Sequence, residues 1–124
     1  MKSNELRIGN YVEYAGVICK VEGYSNEGLE TNGVVAPISA YNPIQLTEEL
    51  LLKLEFKNYE KVSVEKYVQN LKFSFPIDIP EIICLVWQII ENEDDIIELH
   101  NIKYLHQLQN LYFSLTGEEL TIKE

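Results

Sequence analysis

The sequence predicts a single α+β domain over residues 1–124. It has a small SH3-like β-barrel at the N-terminus (1–46), then a short helix, a β-hairpin region and a C-terminal amphipathic helix (47–124). Three observations lead there. Short runs with apolar alternation are separated by tight-turn residues through the first 46 positions. The apolar run Ile82 to Ile90 is followed by an acidic turn and a second apolar stretch. Residues 101–116 repeat their apolar side chains at helical spacing.

Tyr11 to Tyr14 reads as the first strand. In Val17 to Tyr24, Val17, Cys19 and Val21 share one face, and Lys20 and Glu22 the other. That is the period of two of a half-buried strand. Ser25 to Gly28 is a turn. Leu29 to Thr31 and Val34 to Ile38 flank Asn32-Gly33, a dipeptide that suits a type I′ turn because both central residues need positive φ. Tyr41 to Leu46 is a fifth strand, held at an edge by Pro43. Five short strands with tight turns suggest the barrel.

Thr47 is placed as a helix N-cap, with Glu48 and Glu49 at the positive end of the helix dipole. Leu50, Leu51 and Leu54 supply an apolar face, and Phe56 to Asn58 ends the helix. Residues 59–70 fit two patterns. Val64, Tyr67, Val68 and Leu71 have helical spacing, whereas Val62 and Val64 alternate like a strand; the spacing favours a helix. Leu71 to Phe75 reads as a strand. Ile82 to Ile90, apolar on both faces, reads as a central strand covered on both sides. Ile96 to Leu99 returns after the acidic turn as the second arm of a hairpin. In the last helix, Tyr104, Leu105, Leu108, Leu111, Tyr112 and Leu115 form a stripe of core width. Gly117 fits the left-handed position that closes a helix, and Glu118 to Lys123 would add a short strand.

The chain carries 20 Asp and Glu against 10 Lys and Arg, a net charge of −10. That excess argues against direct contact with nucleic-acid backbones, which needs clustered cations, and against anionic membrane surfaces. It is compatible with simple solubility and with a partner protein bearing a basic surface, such as a nucleic-acid enzyme. Met1 to Asn10 is polar and no apolar run approaches the length of a membrane helix, so a cytoplasmic location is expected. Cys19 and Cys84 sit in apolar runs and are expected to be buried free thiols.

No catalytic set emerges. His100 and His106 are the only histidines, and no Cys or His pair has the spacing of a zinc site. Ser63-x-x-Lys66 matches a nucleophile motif of penicillin-binding enzymes but lacks the companion motifs. There is no Gly-rich phosphate loop. No cofactor and no metal are therefore expected. Glu91, Glu93, Asp94 and Asp95 crowd the predicted hairpin tip, either as a solvated turn or as an acidic knob for a basic partner. Phe113 falls off the leucine stripe, near His106, Gln109 and Asn110. Either a second layer covers that face, or the face is exposed and binds a partner. Tyr11, Tyr14, Tyr24 and Tyr41 could line a groove on the barrel.

Two segments carry a resemblance. One joins Glu5-Leu6-Arg7-Ile8-Gly9-Asn10-Tyr11-Val12 to Asn42-Pro43-Ile44-Gln45-Leu46-Thr47-Glu48-Glu49-Leu50-Leu51. The other runs from Tyr104 to Phe113, with Thr116-Gly117-Glu118-Glu119-Leu120 after it. Together they resemble a group of small uncharacterised proteins of bacterial genomes, phages and prophages. The resemblance implies no activity and no site residue. It does suggest a setting in which small acidic proteins bind host proteins and block nucleases, CRISPR effectors among them.

The expectation is thus a non-enzymatic interaction protein, and in its narrower form a phage-type inhibitor of a host defence nuclease. Its candidate contacts are Phe113, His106, Gln109, Asn110, Glu91, Glu93, Asp94 and Asp95. The alternative is a small-ligand or nucleotide-binding module. A homodimer is compatible with either.

Overall fold

The structure is a computed structural model that describes residues 1–77, 81–89 and 94–123. It is an α+β arrangement of three antiparallel sheets and two α-helices. The chain divides into two compact units, Met1–Gln45 with Tyr104–Glu119, and Leu46–Lys103 with Leu120–Glu124.

The first unit holds two three-stranded sheets. In one, β1 (Tyr11–Tyr14) lies between β2 (Val17–Lys20) and β6 (Tyr41–Asn42); in the other, β4 (Gly28–Thr31) lies between β3 (Gly23–Ser25) and β5 (Val34–Ala36). The strands expected of an SH3-like barrel are therefore present, but they form separate sheets and no closed barrel among the described residues. The expected strand Val17 to Tyr24 breaks after Lys20, and its two halves join different sheets. Ala15-Gly16 and Asn32-Gly33 both carry positive φ at their two positions (50° and 81°; 51° and 77°). That is the backbone a two-residue hairpin with right-handed strand twist requires. Leu6, Val12, Val21, Leu29, Ala36 and Tyr41 form the core.

The unit is completed by α2 (Leu105–Thr116), which packs against β1. Gln107 Oε1 accepts from the Tyr104 N–H at 3.0 Å, closing the first turn. Gly117, at φ 75°, ends the helix in the left-handed conformation, and its N–H bonds to Phe113 O at 2.8 Å. The buried face is not the expected stripe. Leu105, Leu108 and Tyr112 are buried as expected, but so are His106 and Gln109, while Leu115 is exposed. The helix is rotated so that polar residues face inward.

The second unit is one five-stranded sheet in the order β11-β10-β9-β8-β7, covered by α1 (Glu48–Lys53). Its strands are β7 (Lys57–Tyr59), β8 (Ser63–Val68), β9 (Leu71–Pro76), β10 (Cys84–Ile89) and β11 (Asp94–Leu99). Thr47 caps α1, accepting the Leu50 N–H on its Oγ1 at 3.1 Å. Residues 59–70, for which the spacing favours a helix, instead complete β7, a hairpin turn and β8. Glu60 and Lys61 make that turn with φ of 50° and 60°, and Val64, Lys66 and Val68 pair with Phe75, Phe73 and Leu71 of β9. Pairing along the whole length of β9, each cross-strand pair adding to the sheet, decides the conformation.

Val64, Phe73, Phe75, Cys84 and Val86 project from the covered face and are buried. The Phe75 ring lies 5.8 Å from that of Phe56, just beyond α1. β10 is not covered on both sides as expected, since Leu85 and Trp87 are half-buried and Ile89 is exposed. Glu118 to Lys123 forms no strand, although the Lys123 N–H donates to Lys53 O at 2.8 Å. Among the described residues no helix is long and apolar enough to cross a membrane.

Gly28 should be the least replaceable residue of the first unit. A Cβ there would lie 1.9 Å from Ala36 O, and its φ is +139°. Backbone strain of this kind alone costs about 1–3 kcal/mol, and the clash adds to it. Gly28→Ala is expected to lower the urea midpoint strongly, whereas Gly33→Ala, with open space around it, should show only the smaller conformational cost.

Candidate functional site

The residues expected to contact a partner fall into two groups, one in each unit. In the first unit, Asn10 and Gln109 are fully buried and hydrogen-bond to each other and to neighbouring groups of that unit. Gln109 reaches the segment before β1 and bonds it as a strand would. Its Oε1 accepts the Tyr11 N–H at 2.8 Å, and its Nε2 donates to Gly9 O at 3.1 Å. Asn10 Nδ2 donates to Asn110 Oδ1 at 2.9 Å, and Asn110 Nδ2 donates to Glu5 O at 2.9 Å. Arg7 closes the group. Its Nε donates to Asn110 Oδ1 at 2.9 Å, its Nη1 pairs with Glu119, and its guanidinium lies 4.3 Å over the Phe113 ring.

Phe113 is therefore 39% exposed but not bare, because a cation covers one face of its ring. The N-terminal segment is the layer that covers this side of α2. His106, 1% exposed, and Gln109, at 0%, present no surface to a partner, and Asn110 is committed to Arg7, Asn10 and Glu5.

His106 Nε2 lies 3.4 Å from a Glu5 carboxylate oxygen, and its ring stacks on Tyr104. Nδ1 is buried without a hydrogen-bond partner among the described residues. Burial lowers the imidazole pKa below 6.5, with the N-terminal ammonium adding to this and the hydrogen bond and charge of Glu5 opposing. The ring is thus held neutral at pH 7. The first-unit tyrosines are likewise spent on the fold. Tyr41 OH bonds Leu29 O at 3.2 Å, Tyr24 OH bonds Leu6 O, and Tyr14 packs on Tyr41 at 5.3 Å.

In the second unit the sheet face opposite α1 carries a different chemistry. Ser63, Glu65 and Tyr67 of β8, Lys72 and Ser74 of β9, Leu85 and Trp87 of β10, and Ile96 and Glu98 of β11 share it, by alternation and register. Glu65 Oε2 accepts from Ser63 Oγ at 3.0 Å and Ser74 Oγ at 3.3 Å, with Lys72 Nζ at 3.8 Å. The same ammonium sits 4.3 Å over the Trp87 ring. This cluster satisfies itself. The Ser63-x-x-Lys66 motif is not assembled, because residues three apart in a strand point to opposite faces, and Lys66 donates to Leu54 O at 3.2 Å instead.

Glu91 and Glu93 lie outside the described residues. Asp94 opens β11, and Asp95 is exposed together with Ile96, Ile97 and Glu98. His100 stands just beyond, exposed, with Nε2 3.5 Å from Glu98 and Nδ1 3.8 Å from Glu81. Among the described residues no three His, Cys, Asp or Glu side chains are placed to hold a metal ion. Cys19 and Cys84 are free and buried, and burial pushes the Cys84 thiol up to about 12, far from a reactive thiolate. The open cavities are shallow. One of about 460 Å³ is lined by Lys57, Tyr59, Glu65 and Tyr67 among others, and one of about 240 Å³ lies between α1 and Phe75.

Compared with protein-family models, with curated proteins and with solved structures, the chain finds no significant match.

No local pattern in the sequence marks Arg7 and Asn10 as partners of α2, Glu119 as the partner of Arg7, or Ile96, Ile97 and Glu98 as an exposed group. The amide and carboxylate partners lie about a hundred positions apart, and exposure at a sheet edge depends on strand order.

Two measurements check this geometry. Gln109→Leu orphans the Tyr11 N–H and the Gly9 carbonyl, at about 1–3 kcal/mol for each buried group left unpaired. The urea midpoint should fall accordingly, with α2 losing amide-exchange protection first. The second concerns pH. A histidine with a lowered folded pKa stays neutral in the fold while the unfolded chain takes up a proton below about pH 6.5. Its contribution is therefore present above that pH and is lost as the pH falls toward the folded value. Wild type should lose more stability between pH 7.5 and 5.5 than His106→Gln, as read by urea midpoints at the two pH values.

Proposed function

We propose that the chain is a non-enzymatic interaction protein whose partner presents a basic surface. The observation that carries this is the exposed outer strand β11, where Asp95 and Glu98 flank two exposed isoleucines. It joins apolar area, which gives affinity, to charge, which gives orientation and rate. The net charge of −10 extends the same sign over the whole chain. The self-satisfied serine, glutamate and lysine cluster, the buried neutral His106 and the inert Cys84 support the absence of a catalytic role.

The narrower form of the proposal is a phage-type inhibitor that covers the basic channel of a host defence nuclease, within the cytoplasm. It rests on the acidity and on the family resemblance. An SH3-like ancestry for residues 1–46 would add an aromatic groove, yet Tyr24 and Tyr41 already spend their hydroxyls within the fold. The cavity beside Tyr59 and Tyr67 favours a second reading, a small-ligand module. That reading expects a nucleotide to raise the melting temperature.

The test is capture of partners from bacterial lysate on the wild type, the double variant Asp95→Asn/Glu98→Gln, and Phe113→Glu. A basic protein held by wild type, released by salt and lost from the double variant is expected. Phe113→Glu should retain it, since that ring is occupied by Arg7. Equal capture by wild type and the double variant would remove the proposed surface.

A further inference from the structure

The outer strand β11 pairs with β10 through six consecutive positions, Asp94 to Leu99, and among the described residues no strand pairs with its other side. Such an edge leaves a row of backbone N–H and C=O groups open to another chain. Proteins usually blunt an edge with charged side chains, lysine above all, or with proline, a bulge or a covering element. Of these, β11 carries only acidic charge. Its register is unbroken, its sequence is Asp-Asp-Ile-Ile-Glu-Leu, and Asp95 to Glu98 are all exposed. Ile96 faces the open side of the sheet, opposite Trp87, and is 49% exposed. Ile97 faces the α1 side, opposite Val86, yet is 60% exposed, because α1 packs near β8 and does not reach this strand.

The charges decide what can dock there. Two copies joined antiparallel through this edge keep like faces together, so Ile97 against Ile97 sets each Ile96 against Glu98, and Ile96 against Ile96 sets each Ile97 against Asp95. Either register presses a carboxylate onto an isoleucine, and each copy carries −10. The edge is thus protected against its own kind and complementary to a cationic strand.

Resting on the interaction reading above, we propose that β11 binds by strand addition an extended segment of a partner protein with the pattern basic–apolar–apolar–basic. The two cations lie opposite Asp95 and Glu98, and the two aliphatic side chains lie against Ile96 and Ile97. Main-chain hydrogen bonds hold the segment and the alternating side chains select it.

The full chain can be titrated with three synthetic peptides. The first has a Lys-Val-Val-Lys core between threonines. The second rearranges the core to Val-Lys-Lys-Val. The third is the first peptide N-methylated at alternate residues. Trp87, the only tryptophan, lies directly opposite Ile96 and reports addition by its emission; amide exchange of residues 94–99 reports it independently.

The first peptide is expected to shift Trp87 emission and to slow exchange in β11. The rearranged and N-methylated peptides should lose most of this. Asp95→Asn/Glu98→Gln should weaken the first peptide roughly tenfold, in line with two charged cross-strand pairs. Equal binding of the N-methylated peptide would overturn strand addition while leaving an acidic docking surface. Failure of all three peptides, with a basic partner still captured through Asp95 and Glu98, would overturn the strand pattern alone. If that capture failed too, both proposals would fall. A dimer of the chain by itself, dissolved by Ile97→Lys in sedimentation, would assign the edge to a second copy and overturn the cationic occupant.

Discussion

The helix α1 has six residues, so its axis is about 9 Å long at 1.5 Å per residue. Five strands about 4.8 Å apart span about 19 Å. One short helix, packed near β8, therefore covers only part of one face and leaves the rest of the sheet to manage its own exposure. Much of the second unit follows from that mismatch. On the face that α1 packs against, Val64, Phe73, Phe75, Cys84 and Val86 are buried. The other face mixes Leu85, Trp87 and Ile96 with a polar cluster of Glu65, Lys72, Ser63 and Ser74. Their mutual bonds let them be largely buried without an unpaired charge. At the outer edge the helix does not arrive, and Ile97 remains exposed although it points to the covered side.

The first unit solves a different problem with side-chain amides. Residues 5 to 11 run beside α2 with three backbone groups that the helix must satisfy. Gln109 and Asn110 supply those bonds from the helix, to Tyr11 N–H, Gly9 O and Glu5 O. A buried amide is costly unless both ends are used, and here both ends of each are. The arrangement makes the polar face of α2 a structural seam. Phe113, packed beneath Arg7, belongs to that seam.

Local chemistry was legible in the sequence. Thr47 as N-cap, Gly117 as the left-handed helix stop, and Asn32-Gly33 as a hairpin turn each depend on one to four neighbouring residues, and each stands as read. The misreading of residues 59–70 has the opposite cause. The turn at Glu60-Lys61 adopts positive φ at both positions without glycine or asparagine, so it carries no local signature. The helical spacing of Val64, Tyr67, Val68 and Leu71 is then coincidental, because pairing with β9 decides the conformation. The barrel was read from strand count and turns, which do not specify which strands close on one another. The rotation of α2 was hidden for the same reason. His106 and Gln109 look like a solvent face until the segment around Gly9 and Asn10, a hundred positions earlier, is laid on them.

The candidate surface shows the same dependence. Asp95 was visible as an acid near a hairpin tip, where charge ordinarily means solvation. Strand order changes its meaning, because β11 is an outer strand and Asp95 and Glu98 bracket the exposed isoleucines. An apolar edge without charge would pair with itself. The same edge with lysines would be closed to acids and open to anionic partners. Flanked by carboxylates, in a chain with twice as many acids as bases, it disfavours a second copy and, as proposed above, suits a cationic strand. Specificity of this kind is a difference between two affinities, and at β11 one pair of acidic residues sets both.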